Sequence, residues 1–404
     1  MNILYLCDEY PPGRHGGIGT SVRLLARQMA KLGHNVVVAG LYGPGYGGAD
    51  EFDDKGVKVF RFRRGFNFDF LSDDASLLSR VVVRLLKGSG LLERDIKKSL
   101  DAYKIRLEEL IKKHDIDIVE MPDYNDYIRF CKSVILFPGL SVPVVVKMHG
   151  NLTYFKNEAG QSVPAQVLRM EQGILNRAAG VSAVSKYTAD KSASYLSYPN
   201  EITVLYNGID TAIPVANSAR KPKQVVFTGS LVEKKGIYQL AKAWNMVHKA
   251  VPDACLLVLG KGPQQKVTAC LDAGARSSVI FKGHLPATDL YRHLKESAIG
   301  IFPSYTEAFA LAPLEAMACG AAVINSNRTS GPELVEHGLS GLLVDPNNIE
   351  QIASSIIGLL NNPDICATLA KNGYESVKER FEINKIALEH VTFYQEILNS
   401  TAKA

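Results

Sequence analysis

The 404-residue chain predicts an α/β protein of two doubly wound, parallel-sheet domains. Three observations carry that expectation. Short Val/Ile/Leu-rich strands alternate with helices twice along the chain, which is the pattern of parallel sheets covered on both faces. A glycine-bounded loop follows the first strand of each half, once around Gly16, Gly17 and Gly19 and once between Gly229 and Gly236. Between the halves, Asp210 to Pro222 has no periodicity and contains Pro214 and Pro222, so it reads as a linker. The length also exceeds one ordinary core.

In the first half, Ile3–Cys7 reads as a strand, Ser21–Leu32 as a helix stopped by Gly33, and Asn35–Ala39 as the next strand. Further strands are expected at Asp117–Glu120, Val144–Met148, Val181–Val184 and Thr203–Tyr206. Segment 65–113 fits this alternation poorly and reads as an insert with an amphipathic helix over Leu92–Lys113. Residues 55–64 carry Lys55, Lys58, Arg61, Arg63 and Arg64 with no acid, interleaved with Phe60 and Phe62. The insert either packs on its own domain or joins this basic, aromatic stretch as an acceptor or membrane-surface face. In the second half, strands are expected at Gln224–Thr228, Cys255–Leu259, Val279–Phe281, Ala298–Phe302, Ala322–Ile324 and Gly341–Val344. A helix containing Trp244 follows the first of these, and a last helix spans Ile383–Leu398.

Hydrophobic content of 46% and charged content of 22% are those of a soluble globular protein. No apolar run reaches membrane-spanning length, and the opening residues read as a strand, not a leader. Six scattered cysteines lack paired or metal-ligand spacing and read as small core residues in a reducing cytosol. The net charge of +5 is spread over both halves, so nucleic acid is not indicated.

The most informative stretch is 301–325, where a strand runs into a loop with Glu307 and a helix is expected to open near Pro313, with Glu315 in its first turn. The N–H groups around Ala310, Leu311 and Ala312 would then lack intrahelical partners, an arrangement that favours phosphate. Carboxylates flanking such a helix start cannot bind the phosphate, so they read as hydroxyl ligands. Hydroxyls plus phosphate describe a nucleotide sugar. In the first half, Gly16, Gly17 and Gly19 allow close backbone approach before a helix start. A dinucleotide fingerprint is excluded there, because nearly ten residues separate the loop from its strand and position 22 is Val. Lys235, in the glycine-bounded loop of the second half, can neutralise phosphate as a point charge. His149 and Asp123-Tyr124 close two further strands, at the end of an α/β sheet where ligands bind. For His149 a structural role competes, and for Asp123 a turn or cap role does. No metal-binding motif is present: Asp115 and Asp117 lie at the wrong end of the sheet.

The whole 301–325 string resembles the Glu-x7-Glu signature of retaining glycosyltransferases of family 4, of bacterial hexosyltransferase type. The glycine loop at 16–19, the Lys235 loop, Gly260-Lys-Gly262-Pro263, Ile280-Phe281-Lys-Gly283 and Val204-Leu-Tyr-Asn-Gly-Ile-Asp210 match family stretches in order. The resemblance implies a GT-B fold, two Rossmann-like domains facing an interdomain cleft. Residues 1–212 would form the acceptor-side domain, with the helix at about 383–404 packing back on it, and 213–382 the nucleotide-sugar domain. By the same resemblance, Glu307 meets the donor sugar, Glu315 the ribose, Lys235 the diphosphate and His149 the sugar hydroxyls. Gly16, Gly17, Ser230, Gly262, Phe281, Phe309, Ala310 and Leu311 line the donor, and Asp123 and Tyr124 the acceptor side. Two departures stand out. Ala308 and Ala310 replace glycines, and Ser230 replaces an arginine on the diphosphate. The implied activity is hexose transfer with retention from a nucleotide sugar, UDP-linked by family habit, to a hydroxyl acceptor in glycan or glycolipid synthesis. It would proceed without metal or cofactor, in the cytoplasm or at the inner membrane face. A non-catalytic sugar-nucleotide binder and a GT-B epimerase or phosphorylase are the alternatives.

Overall fold

The computed structural model describes residues 1–13, 15–43, 46–64, 90–213 and 219–402. The expected insert is therefore described only from residue 90, and 214–218 of the expected linker lie outside the described residues. The chain divides into two compact units: Met1–Gly208 together with Ile386–Ala404, and Ile209–Lys385.

In the first unit the strands are β1 (Asn2–Leu6), β2 (Asn35–Tyr42), β3 (Glu51–Asp53), β4 (Val57–Arg63), β5 (Ile118–Pro122), β6 (Val144–Met148), β7 (Gly180–Ala183) and β8 (Thr203–Val204). They form one sheet in the order β3-β4-β2-β1-β5-β6-β7-β8, parallel apart from the β3–β4 pair. The chain leaves β1 for β2 on one side and later for β5 on the other, which makes a topological switch point beside β1. Helix α1 (Gly17–Lys31) presents Val22, Leu25, Ala26 and Met29 at helical spacing to one face of the sheet. Helix α2 (Leu91–Lys113) buries Leu92, Ile96, Leu100, Tyr103, Leu107 and Leu110 against the other face. The described part of the expected insert thus belongs to the core of its own domain.

The stretch 55–64 corrects the sequence reading. It is β4, an inner strand of the sheet, and its period of two was masked by arginines on the same register as valines. Phe60 is buried, and Phe62 packs edge-on to Tyr103. Arg61 is 3% exposed, lies over the rings of Tyr42, Tyr46 and Phe52, and donates to the carbonyls of Gly47, Tyr10 and Pro12. Arg63 pairs with Asp50, and Arg64 lies 4.0 Å from Asp126. Of its five basic residues only Lys55 and Lys58 are exposed. Phe60 and Arg61 thus serve the interior of the sheet. Among the described residues no helix is long and apolar enough to cross a membrane.

Three short helices complete the sheet's connections: α3 (Leu152–Glu158), α4 (Ala165–Leu175) and α5 (Lys186–Leu196). The second unit holds a parallel six-stranded sheet in the order β11-β10-β9-β12-β13-β14. Its strands are β9 (Lys221–Thr228), β10 (Cys255–Leu259), β11 (Val279–Gly283), β12 (Ser297–Phe302), β13 (Ala322–Ser326) and β14 (Leu342–Val344). Its helices are α6 (Ile237–Ala250), α7 (Gln264–Thr268), α8 (Ala287–Glu296), α9 (Leu311–Ala318), α10 (Gly331–Leu334), α11 (Ile349–Asn361) and α12 (Pro363–Arg380). Again the first strand has its successor on one side and a later strand on the other, so the switch point lies between β9 and β12. Trp244 of α6 is fully buried, its indole N–H donating to Ser278 Oγ at 2.9 Å.

The last helix, α13 (Ile383–Thr401), starts in the second unit and ends in the first. Within the first unit Ala387, Phe393 and Tyr394 join the cluster built on β1 and α1. Its polar residues meet a buried charge. Lys147 of β6 is 2% exposed and lies 2.8 Å from His390 Nε2, while His390 Nδ1 faces the Ile386 carbonyl at 2.7 Å. The Tyr394 hydroxyl donates to Glu120 Oε2 at 2.7 Å. Burial holds Lys147 down at about 8, against the upward pull of Glu120.

Candidate active site

In the second unit two of the residues singled out by sequence, Lys235 and Glu307, meet beside the switch point. The loop after β9 carries Ser230 and Lys235, and the loop after β12 carries Glu307. Although 72 positions apart, the Lys235 ammonium and the Glu307 carboxylate form a partly buried ion pair. The backbones are locked as closely as the side chains. Tyr305 N–H donates to the Lys234 carbonyl at 2.8 Å. Gly236 has φ +69°, and a Cβ there would stand 1.9 Å from the Pro303 carbonyl oxygen, so only glycine lets the two loops meet. Gly262 is likewise pressed on Leu231, and Leu231 N–H donates to the Lys261 carbonyl at 2.8 Å. This joins the Ser230 loop, itself exposed, to the end of β10. Phe281 lies half-buried on β11.

The helix after Glu307 opens earlier than the proline suggests. Its N-cap is Ala310 and its first residue Leu311, so Pro313 is the third helical residue, where an N–H would also have been orphaned. Leu311 and Ala312 fall in the first turn, where a helix leaves N–H groups without intrahelical partners. Glu315 is corrected from the first turn to the second, and the Tyr291 hydroxyl of α8 bonds it. Burial pushes its carboxyl up to about 7, with the tyrosine pulling it down. Phe309 is buried edge-on to Phe381, so its ring is a packing group and its contribution to the loop is backbone placement.

In the first unit the glycine loop, Asp123 and His149 follow β1, β5 and β6, three neighbouring strands. Gly16 is the N-cap of α1 and Gly17 its first residue. The Glu9 carboxylate accepts from Gly16 N–H at 3.1 Å and from Gly19 N–H at 2.7 Å, which splints the loop and satisfies part of the helix end. Sequence reasoning passed over Glu9; an acid between a strand end and a glycine loop was the available signal. His149 N–H donates to Asp123 Oδ1 at 2.8 Å. Burial, with the Lys147 charge added, holds the His149 imidazole well below its ordinary range. Asp123 is 2% exposed, and burial raises it to about 8, helped by the neighbouring charge of Glu171. Glu171 caps α3 by accepting from Leu152 and Thr153 N–H. Among the described residues, Asp123 Oδ2 and Asn151 Nδ2 are buried without a hydrogen-bond partner. Tyr124 is half-buried, its hydroxyl 3.5 Å from Asp126.

Asp123 gives a pH prediction. The fold favours its protonated form, so it contributes stability fully present below the ordinary carboxylate range and lost as pH rises through about 8. Asp123→Asn, uncharged throughout, is expected to gain stability relative to wild type by about 1–3 kcal/mol between pH 5 and pH 8.5. Urea midpoints at both pH values test this, and a pH-independent difference would refute it.

Among the described residues, no three His, Cys, Asp or Glu side chains gather where one ion could be held.

The chain is 25% identical to a glycogen synthase of Mycobacterium tuberculosis, over 98% of this chain and 94% of that protein. Its fold is that of a sucrose-phosphate synthase from Thermosynechococcus elongatus, with TM-score 0.74, 20% identity, and 99% and 100% of the two chains covered. It also matches Anabaena Alr3699/HepE in complex with UDP and glucose, with TM-score 0.66, 18% identity, and coverage of 98% and 100%. Residues 15–213 match the family described as Glycosyltransferase Family 4, and residues 209–376 that described as Glycosyl transferases group 1. With both halves matched in order, the protein belongs to the group 1, family 4-type glycosyltransferases of GT-B fold.

Proposed function

We propose that the protein transfers a hexose or related sugar, with retention, from a UDP-linked donor to a hydroxyl acceptor. The observation that carries this reading is the Lys235–Glu307 pair at the β9–β12 switch point. A cation and a carboxylate held there suit the two ends of a sugar diphosphate. The diphosphate draws Lys235 away from Glu307, and the released carboxylate accepts from sugar hydroxyls. Leu311 and Ala312 N–H groups help offset the charge on the diphosphate, and Glu315 takes the ribose hydroxyls. His149, neutral at physiological pH, bonds a sugar hydroxyl. The unpartnered polar atoms of Asp123 and Asn151 suit the acceptor side, beside Tyr124. Gly16 and Gly17 supply close backbone approach.

The bond from the anomeric carbon to the diphosphate oxygen breaks as the acceptor oxygen attacks the same face. The acceptor's proton passes to the departing phosphate oxygen. Charge on the leaving group is met by lysine and backbone amides, so the reaction needs no metal; activity undiminished by a chelator is the expected result. Six free cysteines suit a reducing cytoplasm.

The test is donor hydrolysis without acceptor, with UDP-, ADP- and GDP-linked sugars. Slow release of UDP supports the reading, and binding without release favours a non-catalytic binder, the alternative motivated by Ser230, Ala308 and Ala310. Glu315→Gln is expected to weaken UDP binding about 10- to 100-fold at pH 8, because a charge-assisted bond worth about 1.5–3 kcal/mol is lost. With burial holding the wild-type carboxyl up at about 7, its UDP affinity should change more with pH across that range than the variant's does. Equal affinities by calorimetry at pH 8 would remove Glu315 from the site.

A further inference from the structure

The loop after β13 holds a residue that neither composition nor motif singled out. Thr329 has φ +50°, a left-handed backbone that a β-branched side chain rarely adopts. The surrounding loop fixes it there. A Cβ on Gly331 would stand 1.9 Å from the Ser326 carbonyl oxygen, Ser330 is fully buried, and Arg328 N–H donates to Ser326 Oγ at 3.1 Å. In this conformation Thr329 Oγ1 accepts from the backbone N–H of Glu307 at 3.3 Å. The loop after β13 thus reaches the loop after β12, its neighbour in the sheet, at the residue whose side chain pairs with Lys235. Residues held in sparsely populated backbone conformations cluster at active sites and ligand clamps.

We infer that Thr329 is a positioning residue: its hydroxyl fixes the Glu307 backbone so that the carboxylate meets the donor's sugar, and it thereby sets how well a sugar nucleotide is told from the bare nucleotide. The inference rests on Glu307 contacting the sugar, as proposed above. Its distinguishing property is selectivity for the sugar half of the donor. A residue that merely holds the fold would affect sugar nucleotide and nucleoside diphosphate alike.

The test uses UDP-glucose and GDP-mannose as donors, and UDP and GDP as their sugarless counterparts. Thr329→Val keeps the shape and removes the acceptor; Thr329→Ser keeps the acceptor. With whichever donor the wild type hydrolyses, Thr329→Val is expected to lower kcat/KM about tenfold with the nucleoside diphosphate Kd unchanged, and Thr329→Ser to stay within about twofold of wild type. Should the valine variant not fold, Thr329→Gly, at ease in the left-handed region, is expected to show the same selective loss. Unchanged turnover in both Thr329→Val and Thr329→Gly, or an equal loss of nucleoside diphosphate affinity, overturns the inference. Glu307→Gln separates the two levels. If it is impaired while Thr329→Val is not, only the inference falls. If it too behaves as wild type, or if the wild type hydrolyses neither donor, the reading of Glu307 falls and the inference with it.

Discussion

Alanine at position 235 is expected to lower kcat/KM for the donor about 100- to 1,000-fold while the protein melts as the wild type does. The size follows from losing one preorganised charge aimed at a developing negative charge, an effect of about 2.7–4 kcal/mol in partly water-excluded sites. The tight seat of Gly236 on Pro303 fixes the backbone that carries Lys235. Its charge therefore needs little reorganisation when the diphosphate departs. Steady-state kinetics with Lys235→Ala and Lys235→Arg test the point. Wild-type rates in Lys235→Ala would reduce the residue to a surface partner of Glu307.

Glu120→Ala is the second large effect, and it falls on stability. Glu120 is the carboxylate that supports the buried Lys147, and it also accepts from Tyr394 of α13. Removing it leaves a buried ammonium whose remaining neighbour is the neutral ring of His390. Breaking a buried pair in this way costs about 3–5 kcal/mol. For a unit of this size the melting temperature should drop by roughly 6–20 °C. The double variant Glu120→Leu with Lys147→Met is expected to recover most of that loss, because an apolar replacement leaves no charge without a partner. Calorimetry of the three proteins is decisive. A single-variant drop below about 1 kcal/mol would show that Lys147 sheds its proton instead.

The fold was legible because parallel strands are short, apolar and spaced by helices. Val144–Met148, Cys255–Leu259 and Ala298–Phe302 could each be placed within a residue or so. Lys235 and Glu307 were singled out in loops that follow strands, and the structure pairs their side chains. β4 was not legible, because a buried arginine held by three aromatic rings and backbone carbonyls looks, in sequence, like a surface charge. The start of α9 was misplaced because proline tolerates any position of the first turn. Glu9 and Thr329 escaped because their roles are hydrogen bonds to backbone N–H groups 7 to 22 residues away, which no spacing rule encodes.

The path of the last helix has a consequence for how the protein is made. The first unit is discontinuous: its core includes Phe393 and Tyr394, and His390 covers the Lys147 charge. During translation, residues 1–208 therefore emerge without the side chains that close their own sheet, whereas the second unit is contiguous and complete once Lys385 has left the ribosome. The usual order, in which the N-terminal domain is finished first, is reversed. The domain synthesised second is the first able to reach its final fold, and the early half waits, with a buried lysine uncovered, for residues made at the end.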